Sequence, residues 1–261
     1  MLKHRIASLF ANLGISIGMP SEQKAVRALI RRLRPVGSGH NLIRMGADGD
    51  GGYLVPDDLE GIAACFSPGV DDRATFEADC AKRGIVSHLA DASVQAMPAE
   101  LSGGTFLRKY LGVVEDETTA TLANWVNDKA PGDDDLILQM DIEGAEVPVL
   151  LNAPHDQLRR FRIIVLEAHH LDRLLDREGF TVMSALFTRL LEQFAVVHAH
   201  PNNYGGVVKR GDITVPRVIE FTLLRRDRLR DGDPAGPFPH PLDKPNDRGR
   251  ADLPLPEFWR G

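Results

Sequence analysis

The run Met140-Asp141-Ile142-Glu143-Gly144-Ala145-Glu146 gathers three carboxylates around a glycine, directly behind the apolar stretch Asp135–Gln139. Carboxylates placed this way can offset a cation, ligate a divalent ion or take a proton. An apolar run that ends in acids and a glycine reads as a buried parallel strand leaving its sheet. Ligands of open α/β sheets bind at the carboxyl ends of strands, which makes Asp141 and Glu143 candidate catalytic residues. Glu146 falls in the first turn of a helix expected from Ala145 to Leu150. The macrodipole favours an acid there, so it reads equally well as structural.

Further acids and imidazoles follow two later apolar runs. Glu167 and His169 end one, and His198 and His200 end the other. Side chains alternate along a strand, so each pair shares a face, while His170 has the opposite parity. A positioned base from this group would contribute about 10²–10⁴-fold to removal of a hydroxyl proton. The same carboxylates and imidazoles could hold a divalent metal that acidifies the hydroxyl instead. Asn202 and Asn203 precede Tyr204-Gly205-Gly206. They read either as turn residues or as carboxamides that bond substrate hydroxyls, with His198 beside them.

A second constellation suits a nucleoside. Ser67-Pro68-Gly69 follows a short apolar run, and Asp91 ends the next one. An acid about 20 residues beyond a glycine turn is the position that grips ribose hydroxyls. One glycine, rather than three, favours a cofactor with adenosine and no pyrophosphate. Asp50-Gly51-Gly52-Tyr53 reads as a hairpin turn, or as a lid with Tyr53 stacking on the cofactor.

These residues need a scaffold, and the pattern supplies one. Strands are expected at Gly61–Phe66, Ile85–Ala90, Phe106–Leu111, Leu136–Met140, Phe161–Leu166, Phe194–His198 and Val215–Leu224. Helices are expected at Arg73–Arg83, capped by Asp72 and stopped by Gly84, at Thr118–Val126 and at Val182–Leu191. This alternation predicts an α/β doubly wound parallel sheet. The loop 201–214 is too loose to force a parallel final pair, so an antiparallel last strand is expected.

Asp-Gly-Asp-Gly-Gly-Tyr (48–53), Cys-Phe-Ser-Pro-Gly-Val (65–70), Phe76-Glu77, the acidic heptapeptide, Glu167-Ala168-His169 and His200-Pro201-Asn202-Asn203 together resemble the FkbM-type S-adenosylmethionine-dependent methyltransferases. The resemblance runs from about Arg44 to Arg226. It implies a seven-stranded Rossmann-like methyltransferase sheet with a reversed last strand. It also implies methyl transfer to oxygen, often on a sugar of a glycan, polysaccharide or glycolipid. The donor-binding residues it implies are Asp50, Gly51, Gly52, Tyr53, Ser67, Pro68, Gly69, Glu77, Asp91 and Asp141. The candidates for catalysis are Asp141, Glu143, Glu167, His169 and His200, and those for holding the acceptor are His198, Asn202 and Asn203. A metal-dependent hydrolase and a non-catalytic glycan-binding module are the alternative readings.

Composition bounds the rest. The formal charge of −6 argues against general nucleic-acid binding. Two cysteines, Cys65 and Cys80, make no disulfide framework and suit a reducing, cytoplasmic compartment. No apolar run reaches the roughly 18 residues needed to cross a bilayer. Residues 1–34 carry seven basic residues against one acid. Ser21 is expected to cap a helix there, with Val26, Leu29, Ile30 and Leu33 inward. Its basic face is either simply solvated or a peripheral dock for an anionic membrane surface or glycan. Residues 1–40 thus form a basic helical segment, 41–226 the methyltransferase domain, and 227–261 an extended, Pro-rich tail. Oligomeric state and acceptor are not encoded in any motif.

Overall fold

The structure is a computed structural model that describes residues 18–71, 73–98, 101, 103–232 and 234–260. Its first helix, α1 (Gln23–Arg32), buries Val26, Leu29 and Ile30 as its periodicity predicts, with Leu33 at its C-cap also buried. Its cap differs from expectation. Glu22 stands at the N-cap with no side-chain bond, and Ser21 instead donates its hydroxyl to the Leu174 carbonyl at 2.6 Å. Ser21 is buried, and a buried hydroxyl must find a partner wherever one lies. An antiparallel hairpin follows, β1 (Leu42–Gly46) and β2 (Gly52–Pro56), and its turn carries Asp48–Gly51.

The centre is one seven-stranded sheet. Its strands are β3 (Ala64–Pro68), β4 (Val86–Ala90), β5 (Thr105–Leu107), β8 (Leu136–Met140), β9 (Phe161–Ala168), β10 (Phe194–Pro201) and β13 (Ile219–Arg225). They lie in the order β10-β13-β9-β8-β3-β4-β5. Neighbours from β9 to β5 pair in parallel, and β13 runs antiparallel to both β9 and β10. The expected reversed last strand is therefore present, inserted between β9 and β10. Every residue of β3, β8, β9 and β10 is buried, as strands covered on both faces must be.

The covering layers come from the intervening chain. The hairpin and α2 (Thr75–Ala81) lie on one face, where Tyr53, Phe76 and Cys80 meet Ile137 and Val165. Helices α1, α3 (Leu122–Lys129), α4 (Glu146–Asn152) and α6 (Arg177–Gln193) pack on the other. The short α5 (His155–Leu158) links α4 to β9.

Several boundaries shift: the strand expected from Gly61 begins at Ala64, the helix expected at Val182–Leu191 spans Arg177–Gln193, and others move for local reasons. Helix α2 starts at Thr75 behind Ala74, and the expected cap Asp72 lies outside the described residues. The run 106–111 divides into β5 and β6 (Tyr110–Gly112), and β6 pairs with β7 (Thr119–Thr121). Thr119–Thr121, with a β-branched threonine at either end, goes to strand, and Thr121 then caps α3 by accepting from the Asn124 amide. Ile213–Pro216 is β12 of a separate hairpin with β11 (Val207–Arg210), so the seventh sheet strand begins only at Ile219.

The C-terminal segment is aperiodic yet docked. Leu255 and Trp259 are buried, and Trp259 Nε1 donates to the Thr214 carbonyl at 2.9 Å. Arg27, Arg31 and Arg34 place their guanidiniums 5.2–5.4 Å from the centre of the Phe258 ring. Part of the basic face of α1 is thus covered by the protein itself.

Candidate active site

The site begins with backbone. Gly69, at φ +84°, leaves β3 so close to β8 that a Cβ there would lie 1.5 Å from the Asp141 carbonyl oxygen. Asp141 N donates to the Pro68 carbonyl at 3.3 Å, and Gly69 N to that of Ala90 at 3.0 Å. Glycine is required here for strand-end packing, which brings Asp141 beside the loop. Among the described residues, three that are not glycine also hold left-handed backbone, Asp71, Glu143 and His170, at φ +46°, +55° and +56°. They follow β3, β8 and β9, so strain collects at the carboxyl edge of the sheet.

Three cavities meet at that edge. One, about 240 Å³, is lined by Tyr53, Gly69, Phe76, Glu77 and Gln139. A second, about 430 Å³, is lined by Gly69, Asp71, Asp91, Ser93, Tyr110 and Ile142. The third, about 410 Å³, is lined by Glu143, Glu167, His169, Asn202, Tyr204 and Asn246. Asp50 and Asp141 line all three.

In the second cavity, Asp91 Oδ1 accepts from Ser93 N at 2.7 Å and Oγ at 2.6 Å. Its Oδ2 takes only a 3.3 Å bond from Asp71 N, which leaves acceptor capacity. Beneath the first cavity, Ser67 Oγ lies between Glu77 Oε1 and Gln139 Oε1, and Gln139 Nε2 donates to Tyr53 Oη at 3.3 Å. Burial pushes the Glu77 carboxyl up, against the hydrogen bond from Ser67. Gln139 is absent from the residues that the sequence motifs nominate. A lone polar residue inside Leu136–Met140 is the signal that could have found it.

The third cavity holds the acid–imidazole cluster. His169 Nδ1 lies 3.0 Å from Glu146 Oε1, and its Nε2 lies 3.5 Å from Glu143 Oε2 and 3.8 Å from Asp141 Oδ1. Glu146 Oε1 also accepts from the Ile142 and Gly144 amides, so the helix-start acid anchors both loop and imidazole. Burial alone would lower the His169 pKa, but the Glu146 hydrogen bond and the charges of Glu146, Asp141 and Glu143 raise it. Burial pushes Asp141 up to about 7, against the opposing pull of His169 and of a hydrogen bond from Glu167. Burial first, then the charges of Asp141 and Glu220, push the Glu167 carboxyl well above the usual carboxylate range, and its Oε1 accepts from Asn202 Nδ2 at 2.7 Å. The contact between the two carboxyls thus pulls Asp141 down and pushes Glu167 up. Asp141, Glu143 and His169 each offer one ligand atom within 4.8 Å of the others, a donor set suited to a divalent ion.

His198, His200 and Asn203 do not line these cavities. His198 Nε2 meets Asp243 Oδ1 at 2.9 Å, and His200 Nε2 meets Asp252 Oδ1 at 3.1 Å. Asn203 Nδ2 donates to the Asp247 carbonyl at 2.9 Å. All three therefore hold the C-terminal segment. Burial lowers the His200 pKa, but Glu220, Asp243 and Asp252 outweigh it and raise it to about 9. Gly52 and Pro68 act through backbone. A Cβ on Gly52 would lie 1.8 Å from the Ala47 carbonyl oxygen, and the Pro68 carbonyl receives Asp141 N. Glu220 and the segment 243–252 carry no sequence signal, since neither a charge pattern nor a period marks them.

The architecture is an α/β sheet, mostly parallel, with a reversed seventh strand and an acid-lined cleft at its carboxyl edge. A model described as Methyltransferase FkbM domain matches residues 67–194, which places that stretch of the chain in the FkbM methyltransferase family. The motifs at 48–53 and 200–203 lie outside the matched stretch. No curated protein matches the chain. Among the described residues, no helix is long and apolar enough to cross a membrane.

Proposed function

We propose that the protein is an S-adenosylmethionine-dependent O-methyltransferase that acts on a hydroxyl, most simply that of a sugar in a glycan, polysaccharide or glycolipid. The observation that carries this reading is that Asp50 and Asp141 line all three cavities, so two binding volumes and an acid cluster share one wall. Asp91, Ser93 and Asp71 would hold the ribose. Tyr53, Gly51, Gly69 and Glu77 would hold the amino-acid end, and Asp141 would face the sulfonium. The donor set fits, because a cation with ribose hydroxyls matches acids with free acceptor capacity. The bound donor supplies an electrophilic methyl group that needs no further activation.

The protein's task is then to place the acceptor hydroxyl and take its proton. Asp141 is the proton acceptor in this reading. With a pKa near 7 it is half ionised at neutral pH, as an effective base should be. Glu167, pushed well above the usual carboxylate range, would donate to the ionised form and steady it, and Asn202 holds Glu167. The Glu146 hydrogen bond and the surrounding carboxylates favour the charged form of His169, which would then position Asp141 and Glu143 rather than remove the proton. The cluster of Asp141, Glu143 and His169 favours a second version, in which a divalent ion bound there acidifies the hydroxyl. In either version residues 41–226 form the donor-binding domain on a doubly wound, Rossmann-like sheet, with 1–40 and 227–261 as flanking segments. The buried, unpaired Cys65 and Cys80 support a reducing, cytoplasmic setting.

Calorimetry with S-adenosylmethionine separates this reading from a hydrolase or a glycan-binding module, because saturable binding is expected only here. Absence of binding overturns it. Mass spectrometry of a glycan pool incubated with protein and labelled donor then identifies the acceptor. Loss of transfer on chelation, restored by a divalent ion, selects the metal version.

A further inference from the structure

The segment 243–252 lies outside the matched family stretch, yet it forms part of the wall of the third cavity through Asn246 and Asp247. It is fixed there by side chains of β10 and the loop after it, through His198 to Asp243, His200 to Asp252 and Asn203 to Asp247. Asp247 is occupied, since Oδ1 accepts from Gly249 N at 2.8 Å and Oδ2 lies 2.9 Å from Arg250 Nε. Asn246 is different. Its Nδ2 donates to Asp50 Oδ1 at 3.2 Å and to Glu220 Oε1. Both of those partners are carboxylates, so the amide has only one sensible orientation. That orientation leaves Asn246 Oδ1 buried with no hydrogen-bond partner.

Asp141 Oδ1, on the same cavity, is also buried and has no hydrogen-bond partner, the His169 Nε2 charge standing off at 3.8 Å. A buried acceptor left unmet is costly, and two on one cavity call for a ligand with two donors. We propose that Asn246 is a specificity-determining residue that accepts from a second hydroxyl of the acceptor, so that this site takes polyols and not simple alcohols. The inference rests on the reading of the third cavity as the acceptor side. The acceptor presents one hydroxyl to Asp141 and another to Asn246, and the C-terminal segment sets which pair of hydroxyls fits.

The test is an NMR titration of the full-length protein saturated with S-adenosylhomocysteine, which follows the side-chain amides of Asn246 and Asn202. Glycerol is the polyol probe, and 1-propanol, at equal concentrations, is the control. Glycerol is expected to shift both amides saturably, and 1-propanol is not. In Asn246→Ala, checked for fold by its amide dispersion, the glycerol response at Asn202 should weaken about tenfold while S-adenosylhomocysteine affinity holds within about twofold, as loss of one acceptor-side hydrogen bond predicts. Equal responses to the two probes, or no saturable response to glycerol, would overturn the proposal and assign the Asn246 oxygen to water. Failure to bind S-adenosylhomocysteine would instead defeat the proposed function. The glycerol comparison on the donor-free protein still decides the role of Asn246.

Discussion

Asp141 is where burial opposes the pull of His169 and of a hydrogen bond from Glu167, and its pKa near 7 is the result. If Asp141 takes the acceptor proton, the rate should rise with pH and level off above an inflection near 7, and Asp141→Asn should abolish turnover in a folded protein. Glu167→Ala removes the donor that steadies the carboxylate and should move the inflection up. Glu167→Gln keeps a donor and should leave it nearly in place. The profiles of these variants, measured at saturating donor, check the assignment. On the donor side, Asp91→Ala should weaken S-adenosylmethionine binding by about 1.5–3 kcal/mol, the value of hydrogen bonds to a charged group. Calorimetry reads this directly, and unchanged affinity would leave Asp91 as a cap for Ser93 alone. Asp141 and Asp91 were legible because each ends an apolar run. The roles of His198 and His200 were not. Parity correctly puts those two on one face, but it says nothing of what covers that face.

The element that explains their fate is β13. It lies between β9 and β10, so His200 is two strand spacings, roughly 10 Å, from Glu167. Glu220 of β13 pairs in register with His200 on one side and Glu167 on the other. The reversed strand was expected from the long loop before it, but its place in the sheet order was not readable from spacing. The clasp it leaves to His200 has a pH signature. The His200 pKa, about 9, is raised above the ordinary 6.5, so its contribution to stability is whole below pH 6.5 and is lost as pH rises through 9. Wild type should therefore lose melting temperature across that window faster than His200→Gln, and hydrogen exchange in 243–252 should quicken with it. Gly69→Ala tests the strand-end packing. Left-handed backbone strain alone costs about 1–3 kcal/mol, and the clash with the Asp141 carbonyl adds to it. The variant should therefore lose at least about 2 kcal/mol in urea unfolding.

At the scale of the molecule, a single sheet covered on both faces is closed by a segment that sequence periodicity could only describe as tail. Apolar runs such as Leu136–Met140 announce themselves because burial demands them in series. Single anchors such as Leu255 and Trp259 do not, since one buried side chain between prolines and charges has no period. Yet Trp259, buried against Phe221 with ring centres 6.3 Å apart, is a core residue. Trp259→Ala should cost about 3–5 kcal/mol by chemical denaturation, as large aromatic deletions in cores do.

The left-handed backbone at Glu143 carries one more consequence. Its side chain is 87% exposed and meets His169, so glycine there would relieve strain at the loss of one contact. Glu143→Gly should raise stability by about 1 kcal/mol, the scale set by the steric cost of that conformation for an L-residue. A library of variants sorted for heat resistance alone would then enrich Glu143→Gly while the methyl-transfer rate of the enriched pool fell. The opposed directions of the two readouts would mark the position as one where durability and activity pull apart.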